Sequence, residues 1–293
     1  MRKLPLKTRA LILNMLCEGQ SMRATARLAD VSFNTVAKLL IDAGRVCADL
    51  HDELVQDVTA SRIQCDEVWS FTYAKQKNVA NAKAAPAEAG DTWTWTALDS
   101  DSKLIVSWLV GGRDSEYAIA FMDDLQSRLA NRVQLTTDGH SAYLEAVEDA
   151  FGGDVDYAQL VKLYGEAPVT EARYSPAPCT GTRKRRVEGN PNPRAVSTSH
   201  VERQNLTMRM QMRRFTRLTN AFSKKFENHM HMVALYTVWY NFIRIHKSLR
   251  VTPAMAAGVT DTLHDMEWIV SLIDARAPKP NRPEAYRKRQ ISN

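Results

Sequence analysis

At 293 residues the chain has length for one large domain, or one medium domain with appendages, and ample length for a core. Its 44% hydrophobic and 25% charged content is that of a soluble globular protein and excludes a disordered one. The net charge of +6 is uneven: residues 183–250 hold 15 Lys/Arg against three acids, a local +12 that leaves the rest at −6 and would attract a polyanion.

The four cysteines, Cys17, Cys47, Cys65 and Cys179, are scattered with no C-x-x-C pair, which argues against a zinc site and a disulfide framework. There is no secretory apolar region, and no apolar run approaches the ~20 residues that span a bilayer. A reducing, cytoplasmic compartment is expected, with no membrane contact.

Residues 1–46 are predicted to form three short helices. Leu6, Ala10, Leu13, Leu16 and Cys17 recur at helical spacing, and Gly19 ends that helix. Ser21 caps a helix over 22–28, and a turn at Asp30-Val31 leads to Ser32, the cap of a helix over 34–43. This matches a helix-turn-helix unit with Ser32, Asn34, Thr35 and Lys38 facing the major groove. Eight Lys/Arg against four acids up to Asp49 favour DNA, and the plain alternative is a helical oligomerisation unit. Residues 47–60 read as a linker helix.

From Arg62 the pattern changes. The run 63–73 is rich in β-branched and aromatic residues, and 92–98 and 104–110 alternate with period two, so three strands form an antiparallel meander. The polar stretch 75–90 reads as a hairpin loop. Asp114 or Ser115 caps a helix to about 130, a strand ends at Asp138, a helix spans 141–151, and a fifth strand spans 156–163. That order is the order of an RNase H-like mixed α/β domain, in which the first and fourth strands are neighbours and Asp66 and Asp138 would sit side by side.

Residues 164–198 read as loop, with Pro168, Pro176, Pro178, Pro191, Pro193 and the basic run Arg183-Lys184-Arg185-Arg186. A helix then carries Glu202, Arg209 and Arg213. A longer one runs from Thr219 or Asn220 to about 245, followed by a short helix at Thr252-Pro253 and a last one over 261–273. The Pro-rich basic tail from Ala275 is expected to be disordered. The domains are therefore a helix-turn-helix unit over 1–46, a linker over 47–60, a catalytic domain over 61–257, and a C-terminal helix and tail over 258–293.

Asp66, Asp138 and Glu202 could converge as a carboxylate cluster. Cleaving a phosphodiester needs a nucleophilic oxygen, a stabilised leaving oxygen and neutralised charge, which two Mg²⁺ (or Mn²⁺) ions about 3.5–4 Å apart supply together. Each acid has a plainer reading. Glu67, on the opposite strand face, competes with Asp66; Asp138-Gly139 is a turn signal; Ser199-x-x-Glu202 is a capping box. Arg209 lies seven residues after Glu202 on the same helix face and Arg213 extends it, offering phosphate contacts. Arg203, Arg244, Lys247 and Arg250 are further candidate DNA contacts. His200 and Asn205 read as structural, as does His246, and His229 and His231 point apart.

The blocks Asp66-Glu67-Val68-Trp69, Thr137-Asp138-Gly139, His200-Val201-Glu202-Arg203-Gln204-Asn205 with Arg209, and Tyr240-Asn241-Phe242-x-Arg244-x-His246-x-Ser248-Leu249 followed by Thr252-Pro253-Ala254 resemble a DDE transposase, most closely the insertion sequence 1 family. The resemblance covers roughly residues 60–257. It implies an RNase H-like domain in which Asp66 bridges two Mg²⁺ while Asp138 and Glu202 each hold one. It further implies cleavage at the ends of a DNA element, attack of the 3′-hydroxyls on target DNA, and a homo-oligomer that joins two ends. Two departures stand out: no N-terminal zinc segment is present, and the 64-residue interval from Asp138 to Glu202 leaves Glu171 and Glu188 as rivals for the third ligand. An inactive DNA-binding regulator and a structure-selective nuclease are the alternative functions.

Overall fold

The computed structural model describes residues 3–165, 177–216 and 219–277. Three helices lead: α1 (Leu6–Cys17), α2 (Met22–Leu28) and α3 (Phe33–Leu54). The Ser21 hydroxyl accepts the Ala24 N–H and the Ser32 hydroxyl accepts the Thr35 N–H, each at 3.1 Å, so both expected caps form. Between the helices Asp30 turns the chain with φ +49°.

The third helix departs from expectation. Instead of stopping at 43 and giving way to a linker, it is one helix of 22 residues that crosses position 46 unbroken. Gly44 lies inside it. A Cβ there would meet His231 Cβ at 2.4 Å and Cα at 2.5 Å, so glycine lets α3 lie close against α8 (Phe226–Val238).

The strands β1 (Arg62–Thr72), β2 (Gly90–Asp99), β3 (Ile105–Gly111), β4 (Val133–Asp138), β5 (Val155–Tyr164) and β6 (Cys179–Arg186) form one sheet in the order β3-β2-β1-β4-β5-β6. β1, β2 and β3 are antiparallel; β4 runs parallel to β1 and β5 parallel to β4; β6 returns antiparallel on the outer edge. Helix α5 (Ser115–Ser127) joins β3 to β4, and α6 (Ala142–Phe151) joins β4 to β5. This is the RNase H-like strand order, and the fold class is as expected.

Several local readings change. The basic run 183–186, expected in a loop, is the second half of β6, where three Arg and one Lys side chain protect an exposed sheet edge from pairing. A single turn of helix, α4 (Gln76–Val79), interrupts the hairpin loop. Both faces of β2 are covered, so its period-two sequence does not mark a wet face.

After the sheet come α7 (Ser199–Gln211), a tight turn at Arg213–Phe215, α8, α9 (Pro253–Ala256) and α10 (Met266–Arg276). Helix α8 begins at Phe226, not near Asn220, because the preceding segment joins the sheet: Ser223 bridges to Thr72, and Phe222 packs on Phe71 at 4.9 Å. Past Val238 the helix widens over Trp239–Ile243, where the Arg244 N–H reaches the Trp239 carbonyl five residues back at 2.9 Å. Asn241, in this wide turn, donates to the Ile105 carbonyl at 2.9 Å and accepts the Ile105 N–H at 3.0 Å. Its amide thereby acts as a strand partner for the edge strand β3. Helix α10 starts at Met266, five residues after Asp261, with Asp265 as its cap, and includes Ala275 and Arg276, which were expected in the tail. Pro168, Glu171, Pro176 and the tail from 278 lie outside the described residues.

One apolar core joins the parts: Leu13 and Leu16 of α1, Leu40 and Leu50 of α3, Ile63 and Trp95 of the sheet, Leu235 of α8 and Ile269 of α10. The boundary expected at 46 thus falls within a helix whose two halves share that core. All four cysteines are free, and among the described residues no helix is long and apolar enough to cross a membrane.

Candidate metal centre

The first two acids meet through the sheet. The parallel β1–β4 ladder pairs Arg62–Gln64 with Gln134–Thr136 and ends there, and Asp66 and Asp138 each lie two residues beyond its last pair. Strand alternation sends Asp66 toward α7 and Glu67 toward α6. Even so, oxygens of Asp66, Glu67 and Asp138 lie within 4.8 Å of one another, a group able to hold a metal ion.

The third expected acid is placed by a side chain of β1. The Gln64 Oε1 accepts the His200 N–H at 2.9 Å and the Val201 N–H at 3.1 Å, which fastens the first turn of α7 to the strand two residues before Asp66. One turn on from Glu202, Asn205 donates to the Asp66 carboxylate at 2.9 Å. Glu202 thus faces the cluster but lies outside the 4.8 Å group. Its carboxylate accepts from the Thr198 hydroxyl and pairs with Lys162 of β5 at 2.7 Å. The capping box does not form: Thr198 precedes the helix, and the Ser199 N–H goes to Ser197.

Asp138 divides its two oxygens. Oδ1 accepts the His140 N–H at 2.9 Å, the turn role that Asp-Gly suggested, while Oδ2 lies 3.7 Å from Arg113. Arg113, in the loop after β3, also donates to Glu67 at 3.3 Å and lies over the Trp93 ring at 4.7 Å. Burial, with the Asp138 charge nearby, pushes Asp66 up to about 6 and Glu67 up to about 7. The Glu202 charge adds to the rise at Asp66, and the Asn205 hydrogen bond opposes it. Such a site resists a third unneutralised negative charge and favours a proton or a cation.

Asn205 Oδ1 is buried here and makes no hydrogen bond among the described residues, while the Glu67 carboxylate lies against the Tyr143 hydroxyl. A buried oxygen left open like that of Asn205 is expected to meet water or an ion. The donor set is hard oxygen, which suits Mg²⁺ or Mn²⁺, and the residues fit the implied cofactor. Glu188, a rival for the third place, sits at the far end of β5 beside Tyr157, and Glu171 lies outside the described residues.

The expected DNA contacts are dispersed. The Ser32 and Thr35 hydroxyls bond each other at 2.9 Å, Asn34 is exposed, and Lys38 pairs with Asp42 at 2.8 Å on the same helix. Arg203, Arg213 and Lys247 are exposed and Arg209 is half-buried; Arg244 lies over the Trp239 ring at 5.1 Å. His229 is buried between Ser70 and Ser223, and His246 bonds Ser248 at 3.0 Å, which fits the structural reading of both. Arg113, Lys162 and Gln64 were not singled out in the sequence. Asn205 was visible only as a motif residue.

No family model matches the sequence, and no curated protein matches it. Among solved structures the chain is similar to the piggyBac transposase synaptic complex with hairpin DNA, at 10% identity and TM-score 0.40, covering 96% of this chain and 74% of that one. It is also similar to the Mos1 mariner paired end complex with Mn, at 10% identity and TM-score 0.29, covering 81% and 77%. For a pre-cleavage Mos1 transpososome the values are 12% and 0.21, and the match takes in 54% of this chain and 60% of the Mos1 chain. The fold class stands on the strand order.

Proposed function

We propose that this protein is a DDE-type transposase, as its resemblance to the insertion sequence 1 family implies. It would bind the ends of a DNA element, cleave there with Mg²⁺ or Mn²⁺, and join the freed 3′-hydroxyls to target DNA. The observation that carries the reading is the meeting of Asp66, within β1, with Asp138, at the end of the adjacent parallel strand β4, beside a helix start held to β1 by Gln64.

Asp66, Asp138 and Glu202 would hold two ions, which when bound supply charge neutralisation and an activated nucleophilic oxygen. The chain's own residues do the rest. Asn205 fixes the Asp66 carboxylate. Arg113 braces Glu67 and Asp138 from the opposite side. When Glu202 turns toward the cluster, Lys162 is released and its ammonium is free to meet a phosphate oxygen. The α2–α3 pair, through Ser32, Asn34, Thr35 and Lys38, would read the element ends, and Arg203, Arg209, Arg213, Arg244 and Lys247 would meet the backbone. Two ends must be joined, so the working form is a homo-oligomer on double-stranded DNA in the bacterial cytoplasm.

A DNA-binding regulator without cleavage is the second reading, and the engagement of Glu202 by Lys162 outside the close group favours it. A duplex oligonucleotide carrying the element end separates the two. Nicking at the end with Mn²⁺ that disappears in Glu202→Gln, with binding retained, supports the transposase. Binding by wild type with no nick at any divalent ion concentration supports the regulator.

A further inference from the structure

Arg214 is half-buried and differs in its partners from the most enclosed arginines of the described residues. The two arginines that are nearly inaccessible, Arg9 and Arg128, both carry carboxylates: Arg9 clasps Asp274 at 2.6 and 2.7 Å, and Arg128 pairs with Asp124 at 2.7 Å and Asp52 at 2.5 Å. Arg214 has none. Its guanidinium donates to the Ser223 hydroxyl at 2.7 Å and meets the Met22 sulfur at 3.3 Å.

A neutral relay fixes that orientation. The Ser70 hydroxyl donates to the Thr92 carbonyl at 3.0 Å, so it accepts from His229 Nε2 at 3.4 Å. His229 Nδ1 is then the acceptor for the Ser223 hydroxyl at 3.2 Å, which leaves the Ser223 oxygen for Arg214. Burial, with Arg214 nearby, lowers His229 to about 3, so the relay stays uncharged at neutral pH, and burial alone lowers Arg214 to about 10. The charge of Arg214 is positioned by this relay and, among the described residues, pairs with no carboxylate.

Arg214 lines a cleft of about 840 Å³ between α2 and the segment leading into α8. Arg23, Arg213, Lys224 and Lys225 line the same cleft, and no aspartate or glutamate does. Among the described residues, none of these five cations pairs with a carboxylate. The volume is in the range that takes a drug-sized ligand, larger than one phosphate group needs. The cleft also has a defined place relative to the acids. Ser223 lies against the end of β1, where the Tyr73 N–H meets its carbonyl at 2.8 Å. Six residues of strand separate Asp66 from Thr72, about 20 Å at the usual rise. That distance is about six nucleotide steps of one DNA strand.

We propose that this cleft holds consecutive phosphates of the DNA backbone, with Arg214 as its fixed inner contact and Arg23, Lys224 and Lys225 around its mouth. It would grip the strand about six steps from the phosphate placed at Asp66 and Asp138. The inference rests on the DNA-processing reading above and adds a second, separate anchor to it.

The test is the salt dependence of binding of the full chain to a 20-base-pair duplex, read by fluorescence anisotropy. Each phosphate contact contributes about 0.9 to the slope of log affinity against log salt. The double variant Lys224→Ala/Lys225→Ala should lower the slope by about two and Arg23→Ala by about one. All three positions are exposed, so unchanged melting temperatures will show that the fold is intact. Wild-type binding with slopes unchanged in both variants overturns the cleft assignment and leaves the DNA reading standing. No binding by wild type at low salt overturns both.

Discussion

Gly44→Ala tests how the N-terminal helices are held to the helices that follow the sheet. The new methyl would sit 2.4 Å from His231 Cβ, 2.5 Å from its Cα and 2.7 Å from its carbonyl oxygen. Carbon atoms in good contact stand about 3.5–4.0 Å apart, so α3 and α8 would have to separate by about 1 Å. Two of the three obstructing atoms belong to backbone, which cannot rotate away. Overpacking of this kind costs about 1–3 kcal/mol. The substitution also gains about 1 kcal/mol of helix propensity, because glycine in a helix interior is unfavourable. The net expectation is a loss of up to about 2 kcal/mol, read as a lower urea midpoint at unchanged slope. The displacement should reach the candidate metal centre, because Tyr236 of α8 accepts from Gln204 of α7 at 2.9 Å. A variant more stable than wild type, as propensity alone predicts, would refute the close crossing.

Other outcomes follow from single contacts. Gln64→Leu removes the acceptor for two N–H groups at the start of α7 and should cost about 1–3 kcal/mol in denaturant unfolding, together with any cleavage activity; a neutral effect would mean that Gln64 does not place Glu202. Glu67→Gln and Glu202→Gln, compared by Mn²⁺ titration, decide the third ligand: the account expects the larger affinity loss from Glu202→Gln, and the reverse would assign that place to Glu67. The contribution of His51 to stability should fall between pH 7.5 and 5, while the raised Asp66 and Glu67 carboxyls act in the opposite direction over the same window. His51 is buried, faces Arg128, Asp52 and Asp124, and is lowered to about 4, so the unfolded chain takes up its proton first as pH falls. Linkage puts this at about 2 kcal/mol at pH 5. The loss should shrink in His51→Gln, and an unchanged pH profile there would exclude His51 as its source.

Deleting residues 1–46 is not a clean test of DNA reading. The deletion would cut α3 and expose core residues packed against Leu13 and Leu40. Asn34→Ala with Lys38→Ala, both exposed, is the better perturbation.

The sequence made Asp66 and Asp138 legible because each ends an apolar run and the order of elements makes those runs neighbours. Their supports were not legible. Arg113 follows two glycines in a loop, and Lys162 lies in a strand of mixed character; only the folded sheet brings them to Glu67, Asp138 and Glu202. The helix expected over 34–43 runs on to Leu54, and Gly44 within it serves a close helix crossing, a tertiary contact that the sequence did not announce. The run 183–186 misled because clustered charge between prolines reads as loop, while at a sheet edge it is the ordinary means of blocking aggregation. Ser223 hid the start of α8 because its bond to the end of β1 is a tertiary contact that no local pattern announces.

The most direct measurement uses a plasmid carrying this gene with its natural flanking DNA, incubated with the purified protein and Mg²⁺ or Mn²⁺, comparing wild type with Asp138→Asn. The account predicts breaks that map to the element ends with wild type and none with the variant, although both bind. Equal cleavage by the two proteins, or binding without cleavage by either, would contradict it.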